Sequence, residues 1–126
     1  MTGQVPPYPE GKNLLNDKTV IVTAGAGSGI GFATAKRCAE EGASVFLSDS
    51  HARRLDESIK LLSEAGHRVA GVTCDVTIEE EVEGLINSAA SHFGAIDIMI
   101  NNAGLGGQTD LIEMSDEEWF KVIDVT

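Results

Sequence analysis

Glycines crowd one short stretch of the chain, residues 23–31, at a spacing suited to binding phosphate. They are Gly25, Gly27, Gly29 and Gly31. Glycine has no Cβ, so it permits tight turns and lets a pyrophosphate come close to the backbone. A helix that begins here offers the free N–H groups of Ser28, Gly29 and Ile30 to the phosphates. A purely structural turn is the alternative, and a strand before and a helix after the glycines favour the phosphate site.

A carboxylate follows at the distance at which nucleotide-binding proteins recognise ribose. Asp49 lies eighteen residues past Gly31, at the end of a short apolar run. A carboxylate there can accept hydrogen bonds from both hydroxyls of an adenosine ribose. It also repels a 2′-phosphate and so favours NAD over NADP, although Arg53 and Arg54 are close enough in sequence to weaken that preference. A cap for the following helix is the alternative role for Asp49.

Two further polar segments come directly after apolar runs. Asp75 and Val76 follow one run, and this carboxylate can bind the adenine amino group or act as a turn residue. Residues 101–104 (Asn-Asn-Ala-Gly) follow the next run. Their small side chains let the chain pass close to a ligand, and the asparagine amides can pin the loop to its neighbour.

Strands and helices alternate along the chain in the positions needed to hold these segments. Apolar β-branched runs predict strands at 19–23, 44–48, 68–73 and 96–100. Helices are predicted at 30–41, 51–65, 78–93 and from 116 onward, three of them ended by glycines. Capping boxes are predicted where Thr77 is followed by Glu80 and where Ser115 is followed by Glu118.

This alternation predicts an α/β fold, a doubly wound, Rossmann-type parallel sheet with strand order 3-2-1-4. The order places the first and fourth strands side by side, so the glycine-rich loop and residues 101–104 flank one crevice. Residues 1–16 contain three prolines and are predicted to be a flexible tail. Residues 17–126 are predicted to be the dinucleotide-binding part of a single domain.

Charge and composition exclude several classes of function. The net charge is −11, and all of it arises in residues 75–126, where Lys121 is the only base. Nucleic-acid binding needs a basic surface, so no nucleic-acid partner is expected. No apolar run is long enough to cross a membrane. Cys38 and Cys74 fit no metal or disulfide pattern, so we expect no metal site and a cytoplasmic location.

Taken together, these motifs resemble the short-chain dehydrogenase/reductase family over residues 17–126. The family's glycine motif corresponds to Gly25, Gly29, Ile30 and Gly31, its acidic cofactor selector to Asp49, its Asp-Val pair to Asp75-Val76, and its Asn-Asn-Ala-Gly signature to residues 101–104. The resemblance implies hydride transfer between NAD(P) and an alcohol or ketone, with a steroid-like or 3-oxoacyl substrate. It also places the nicotinamide ribose along Asn102, Ala103 and Gly104.

The same resemblance implies features that this chain lacks or alters. The family's catalytic serine, tyrosine and lysine are expected beyond Thr126, so the chain is predicted to be truncated before the catalytic region and inactive alone. Thr126 itself occupies the usual position of an asparagine that orients a water. Ala24 replaces a threonine that braces the glycine loop, which places that hydrogen bond in doubt. The last helix, with Trp119 and Phe120, is expected at a subunit interface of a homo-oligomer.

Other interpretations of the chain stay open at this point. Tyr8 and Lys12 match the family's Tyr-x3-Lys spacing, but Pro9 and Gly11 lie between them and disfavour a helix, so we attribute the match to chance. A nucleotide-binding or interaction module without catalysis is the alternative if the natural chain ends at Thr126. A Rossmann-like methyltransferase also pairs a glycine loop with an acid, but it does not predict residues 101–104.

Overall fold

The computed structural model describes residues 3–107 and 109–126, so residues 1 and 2 of the predicted tail lie outside the described residues. Strands and helices alternate strictly along the described chain. In order, they are β1 (Thr19–Val22), α1 (Ile30–Glu40), β2 (Ser44–Asp49), α2 (Ala52–Glu64), β3 (Val69–Thr73), α3 (Glu79–Phe93), β4 (Ile98–Ile100) and α4 (Asp116–Val125). These bounds agree with the sequence predictions to within about two residues.

The four strands form one parallel sheet in the order β3-β2-β1-β4. In the shared register, Val20 pairs with Val45 on one side and with Ile98 on the other. Residues of β1 and β2 are buried on both faces of the sheet, which explains the apolar runs 20–22 and 45–47 within them. The predicted doubly wound α/β class and its 3-2-1-4 order are therefore confirmed.

Helices cover the two faces of the sheet with different side chains. On one face, small residues of α1 such as Ala35 and Ala39 pack with Leu55 and Leu62 of α2. On the opposite face, Leu85 of α3 packs with other buried residues around Phe46 of β2. This arrangement directs the carboxyl ends of all four strands, and the loops that follow them, toward the same edge of the sheet.

The fourth strand is shorter at its start than the predicted 96–100. The Asp97 carboxylate accepts a hydrogen bond from the backbone N–H of Thr19 at 2.8 Å, and the Asp97 N–H donates to the Thr19 carbonyl at 3.0 Å. Regular pairing therefore begins only at Ile98. A side chain that replaces a backbone acceptor at the strand end is a tertiary effect that hydrophobic periodicity does not reveal.

The predicted capping box at Thr77 is wrong. Thr77 donates both its N–H and its hydroxyl to the Asp75 carboxylate, at 3.0 and 2.7 Å, and Ile78 occupies the N-cap position of α3 without a side-chain cap. Asp75 lies two residues before Thr77, so its carboxylate reaches both donors within one turn. Thr77 is therefore bound to the Asp75 carboxylate and does not cap α3.

The predicted capping box of α4 is half formed. Ser115 is the N-cap, and its hydroxyl accepts the Glu118 N–H at 3.2 Å, as predicted. The Glu118 carboxylate accepts instead from the Thr109 hydroxyl at 2.8 Å. The glutamate therefore ties the preceding loop to the helix rather than completing the box.

The N-terminal segment lies against the C-terminal end of α1, far along the helix from the glycine-rich loop. The buried Glu41 carboxylate accepts the N–H groups of Lys12 and Leu14 at 2.7 and 3.1 Å and pairs with Arg37. Tyr8 donates its hydroxyl to Glu40 at 2.5 Å. Tyr8 and Lys12 lie on no helix, consistent with a chance Tyr-x3-Lys match. The flexibility of residues 1–16 stays a prediction.

We expect the contact between this segment and Glu41 to depend on pH. The N–H groups of Lys12 and Leu14, followed by the Arg37 guanidinium, lower the pKa of Glu41. Because the pKa of Glu41 is lower in the folded protein, its ionised carboxylate stabilises the contact. This stabilisation is fully present at pH values above the pKa of glutamate in the unfolded chain, near 4.3. That stabilisation is lost as the pH falls through the folded value.

Hydrogen exchange of the Lys12 and Leu14 amides measures this effect. In Glu41→Gln, the side-chain amide keeps one acceptor and loses its charge, so both amides should exchange severalfold faster at pH 7 and lose their pH-dependent protection. Glu10→Gln is the control, because the Glu10 carboxylate has no hydrogen-bond or ion-pair partner among the described residues. Equal protection factors in the two variants would contradict the assignment.

Candidate functional site

A cleft of about 440 Å³ lies at the edge of the sheet where the strands end. Residues from the end of β2, from the loops after the four strands, and from α2 and α4 line it. They are Ala24, Asp49, Ser50, His51, Arg54, Cys74, Asp75, Val76, Ala103, Gly104, Leu105, Lys121 and Val125. The structure thus brings together five of the predicted site residues, Asp49, Asp75, Val76, Ala103 and Gly104. The glycines at 25–31, Ser28, Ile30, Asn102 and Thr126 do not line this cleft.

The glycine-rich loop after β1 leaves a row of backbone donors without partners. Gly29 is the N-cap of α1 in an extended conformation. No atom among the described residues accepts a hydrogen bond from the N–H groups of Ser28, Gly29 or Ile30. These three residues are exposed. Unpaired donors at the start of a helix are the arrangement that binds phosphate.

Two other N–H groups of the loop, those of Gly25 and Gly27, are directed into the protein. Gly25 donates to the Ser48 carbonyl at 3.0 Å, and Gly27 donates to the Ser58 hydroxyl at 3.0 Å. Gly27 has φ of +86°, a conformation that favours glycine. Gly27 therefore contributes to the loop through its conformation, and its N–H is not available to a ligand in this structure.

Asp49 is buried at the end of β2 and carries a partly satisfied carboxylate. Its Oδ1 accepts from the His51 N–H and from the Arg54 guanidinium, both at 3.0 Å. Its Oδ2 has no hydrogen-bond partner among the described residues. Because His51 is the N-cap of α2, the Asp49 side chain supports the residue before the helix rather than capping it. One oxygen is therefore left for a ligand.

The two arginines after Asp49 have different surroundings. Arg54 lines the cleft, contacts Asp49 and lies across the turn at Gly27. Arg53 is almost fully exposed and pairs with Glu57 on the outer surface of α2. Of the two arginines, only Arg54 contributes its charge to the cleft.

Asp75 and Val76 line the cleft from the end of β3. The hydrogen bonds from the side chain and backbone of Thr77 lower the pKa of Asp75, which keeps it ionised at neutral pH. Both of these bonds end on Oδ1, so Oδ2 is without a partner among the described residues. The turn role and a ligand role for Asp75 are therefore compatible, because each uses a different oxygen.

Thr23 and Asn102 connect the two loops that flank the crevice. The buried Thr23 hydroxyl accepts the N–H groups of Asn102 and Ala103 at 2.9 and 3.0 Å. The Asn102 amide donates to the carbonyls of Thr23 and Ala24, both at 3.2 Å. Thr23 thus braces these loops from one position before Ala24, and Asn102 pins the glycine-rich loop as the sequence indicated.

We expect Thr23→Val to destabilise the protein by about 1.5 kcal/mol. Valine keeps the shape of threonine but leaves the Ala103 N–H without an acceptor, and it leaves the Asn102 N–H only its bond to the Ile100 carbonyl at 3.1 Å. An unsatisfied buried donor costs about 1–3 kcal/mol. Urea unfolding measures the change in the free energy of unfolding. Thr23→Ser keeps the acceptor and serves as the control, so equal stabilities for the valine and serine variants would refute the bracing role.

Thr126 lies beyond α4, where its hydroxyl accepts the Leu105 N–H at 3.3 Å. It lines a separate pocket of about 310 Å³ with Thr23, Asn101 and Val125 among others. Because the Leu105 N–H already donates to the oxygen, the Thr126 proton is free to be donated elsewhere. Its role in holding a water stays a prediction.

Ser58 and Lys121 contribute to the site and escaped the sequence analysis, which had noted Arg54 near Asp49 but not the ion pair between them. Ser58 had a detectable signal, because it occupies a buried position in the apolar stripe of α2 between Leu55 and Leu62. A serine in such a stripe needs a polar partner. Lys121 lines the cleft from α4, a placement that only the tertiary structure reveals.

Within residues 3–107 and 109–126, no three histidine, cysteine, aspartate or glutamate side chains come close enough to share a metal ion. The helices of the same residues are too short or too polar to span a bilayer.

The chain is similar to several known proteins. The family model described as short chain dehydrogenase matches residues 18–126. The chain is 51% identical over 117 residues to a (5R,7aS)-5-hydroxy-7a-methyl-1-oxo-2,3,5,6,7,7a-hexahydro-1H-indene-carboxyl-CoA reductase from Mycobacterium tuberculosis, a match that covers 92% of this chain and 45% of that protein. These matches are to oxidoreductases and give no support to the alternative of a non-catalytic module.

Solved structures extend the similarity to the fold. A short chain dehydrogenase from Mycobacterium smegmatis superposes with a TM-score of 0.94 at 48% identity, covering 98% of this chain and 52% of that one. An actinorhodin polyketide ketoreductase solved with NADPH gives a TM-score of 0.82 at 35% identity, covering 86% and 41%. The chain spans about half the length of the relatives that it matches.

Proposed function

Because the chain belongs to the short chain dehydrogenase family, we propose that its cleft, together with the glycine-rich loop that adjoins it at Ala24, binds a nicotinamide adenine dinucleotide, with NAD(H) preferred over NADP(H). The observation that carries this proposal is the set of N–H groups of Ser28, Gly29 and Ile30 at the start of α1, which have no acceptor among residues 3–107 and 109–126. No Cβ projects from Gly29, and none of the described atoms lies within 4 Å of where one would be. The loop therefore has donors and space for a pyrophosphate.

The other predicted residues follow the length of the cofactor. Asp49 accepts hydrogen bonds from the adenosine ribose through its unpartnered Oδ2, and the negative charge of its buried carboxylate disfavours a 2′-phosphate. Asp75 and Val76 bind the adenine end. Ala103 and Gly104, held in place by Thr23, pass along the nicotinamide ribose.

For the whole protein we propose an NAD(P)-dependent dehydrogenase or reductase acting on an alcohol/ketone pair. The cofactor supplies or accepts the hydride when it is bound. Thr126 donates a hydrogen bond from its hydroxyl to a water near the reacting oxygen, since the Leu105 N–H already donates to the Thr126 oxygen. The only tyrosine, Tyr8, contacts the opposite end of α1. We therefore expect the 126-residue chain alone to bind cofactor without turning over an alcohol.

A ring ketone or ring alcohol carried on a coenzyme A ester is the substrate class that we favour. The support is the reductase of such a bicyclic CoA ester from Mycobacterium tuberculosis, with 51% identity. A 3-oxoacyl substrate is the second candidate, supported by the 35% identical polyketide ketoreductase. Assay of the whole protein with a cyclic keto-CoA ester and with a 3-oxoacyl thioester distinguishes the two by their kcat/KM.

Titration of the protein with NADH, NADPH and S-adenosylmethionine tests the cofactor proposal. We expect enhanced NADH fluorescence on binding, weaker binding of NADPH and no competition by S-adenosylmethionine. Displacement of NADH by S-adenosylmethionine would favour a methyltransferase. An absence of NADH and NADPH binding would overturn the proposal.

We further propose a cytoplasmic homo-oligomer that has neither a nucleic-acid nor a membrane partner. Trp119, Phe120 and Ile123 of α4 are exposed apolar side chains, as expected for a helix at a subunit interface. The acidic segment 75–126 disfavours nucleic acid. Light scattering from the whole protein measures the oligomeric state.

A further inference from the structure

One side chain of α2 holds the turn in the middle of the glycine-rich loop. The Ser58 hydroxyl accepts the Gly27 N–H at 3.0 Å, although the two residues are 31 positions apart in sequence. Ser58 is 4% exposed and lies in the same buried stripe as Leu55 and Leu62. Its hydroxyl is therefore removed from solvent and committed to the loop.

This contact matters because a loop rich in glycine has unusual conformational freedom. Each residue that must be ordered when a ligand binds reduces the affinity by an entropic cost. The loop is otherwise held from the Gly25 N–H to Ser48 and from the Ala24 carbonyl to Asn102, both near its beginning. Ser58 fixes the stretch directly before the free donors of Ser28 and Gly29.

The same face of α2 also contacts Asp49. Arg54 lies one helical turn before Ser58, and a Cβ added to Gly27 would lie 2.7 Å from the Arg54 Cδ. The Arg54 guanidinium in turn donates to Asp49. One face of α2 thus contacts both the glycine-rich loop and the Asp49 carboxylate.

From these contacts we propose that Ser58 is a positioning residue, which orders the glycine-rich loop for the pyrophosphate of the cofactor. The inference rests on the proposed function. Ser58 touches no part of the cofactor, and it acts by holding Gly27 so that the N–H groups of Ser28, Gly29 and Ile30 are presented together. The chemical class that it serves is a diphosphate, not the adenosine alone.

The test compares variants that differ in the hydroxyl and not in shape. A pocket of about 200 Å³ borders Ser58, so we expect room there for the extra methyl group of threonine or valine. Ser58→Thr keeps the hydroxyl acceptor, and Ser58→Val has the shape of threonine but no hydroxyl. Ser58→Ala also lacks the hydroxyl and adds no methyl group. Ser63→Ala is the control, because Ser63 is exposed on the same helix and its hydroxyl has no hydrogen-bond partner among the described residues.

We expect the Kd for NADH and for ADP to rise about fivefold to tenfold in the alanine and valine variants, as for the loss of one buried hydrogen bond. Adenosine affinity should stay within about twofold, and so should NADH affinity in Ser58→Thr and Ser63→Ala. In the whole protein, the cofactor KM should rise with little change in kcat.

The outcomes separate the two proposals. If the wild-type protein binds NADH and ADP, and the threonine and valine variants bind them equally, Ser58 has no positioning role. A parallel loss of adenosine affinity would also overturn it, because the defect would then be general. If the wild-type protein binds neither NADH nor ADP, the proposed function fails instead.

Discussion

Gly31→Ala is expected to destabilise the protein by about 3 kcal/mol and to abolish cofactor binding at micromolar concentrations. A Cβ on Gly31 would lie 2.3 Å from the Ala24 carbonyl oxygen and 2.5 Å from the Asn102 amide nitrogen. Alanine favours a helix over glycine by about 1 kcal/mol, but overlap with a backbone atom costs more than this gain. The start of α1 must then move away from both loops. Urea unfolding and NADH titration measure the two effects.

Gly29→Ser is the matched control two residues earlier. None of the described atoms would contact a Cβ at Gly29, and serine is a favourable N-cap for its extended conformation. We expect its free energy of unfolding to stay within about 0.5 kcal/mol of wild type, since serine and glycine caps differ by only a few tenths. NADH binding should still weaken more than tenfold, because the side chain occupies the phosphate space. A stable Gly31→Ala variant would show that the close approach is not required.

Asp49→Ala is expected to weaken NADH binding about 100-fold and to narrow the difference between NADH and NADPH. Two hydrogen bonds from ribose hydroxyls to a carboxylate are lost, each worth about 1.5 kcal/mol. NADPH makes little use of this carboxylate, so its affinity should change less. Parallel titrations with both cofactors measure the ratio. Wild-type protein that binds NADPH at least as well as NADH would show that Asp49 is not the selector.

The adjacent arginines provide an internal control for this selectivity. Arg54→Ala removes the cation beside Asp49, so NADPH affinity should fall by about tenfold relative to NADH. Arg53→Ala removes the same side chain from the exposed surface of α2 and should change neither affinity. If both substitutions changed the NADPH affinity equally, the cause would be the net charge of the protein and not the position of Arg54.

Much of the fold was predictable because it depends on patterns that are local in sequence. The apolar run at 19–22 and the three that follow it identify strands, and Gly42, Gly66 and Gly94 end helices with positive φ. Strand–helix alternation then permits few topologies, since crossovers are right-handed and helices must cover both faces. The order β3-β2-β1-β4, in which the loops that begin at Thr23 and Asn101 meet, is one of the few that those rules allow.

The sequence by itself determined which loops meet and which residue types they carry; tertiary structure decided which donor meets which acceptor. Thr23 bonds to Asn102 and Ala103, about eighty residues away in sequence. Ser58 accepts the Gly27 N–H across a sequence separation of 31 residues. Such pairs depend on the packing distance between elements, which no local pattern records. Thr77 had Glu80 in the expected position yet bonded to Asp75, because the nearer carboxylate was already oriented by the turn.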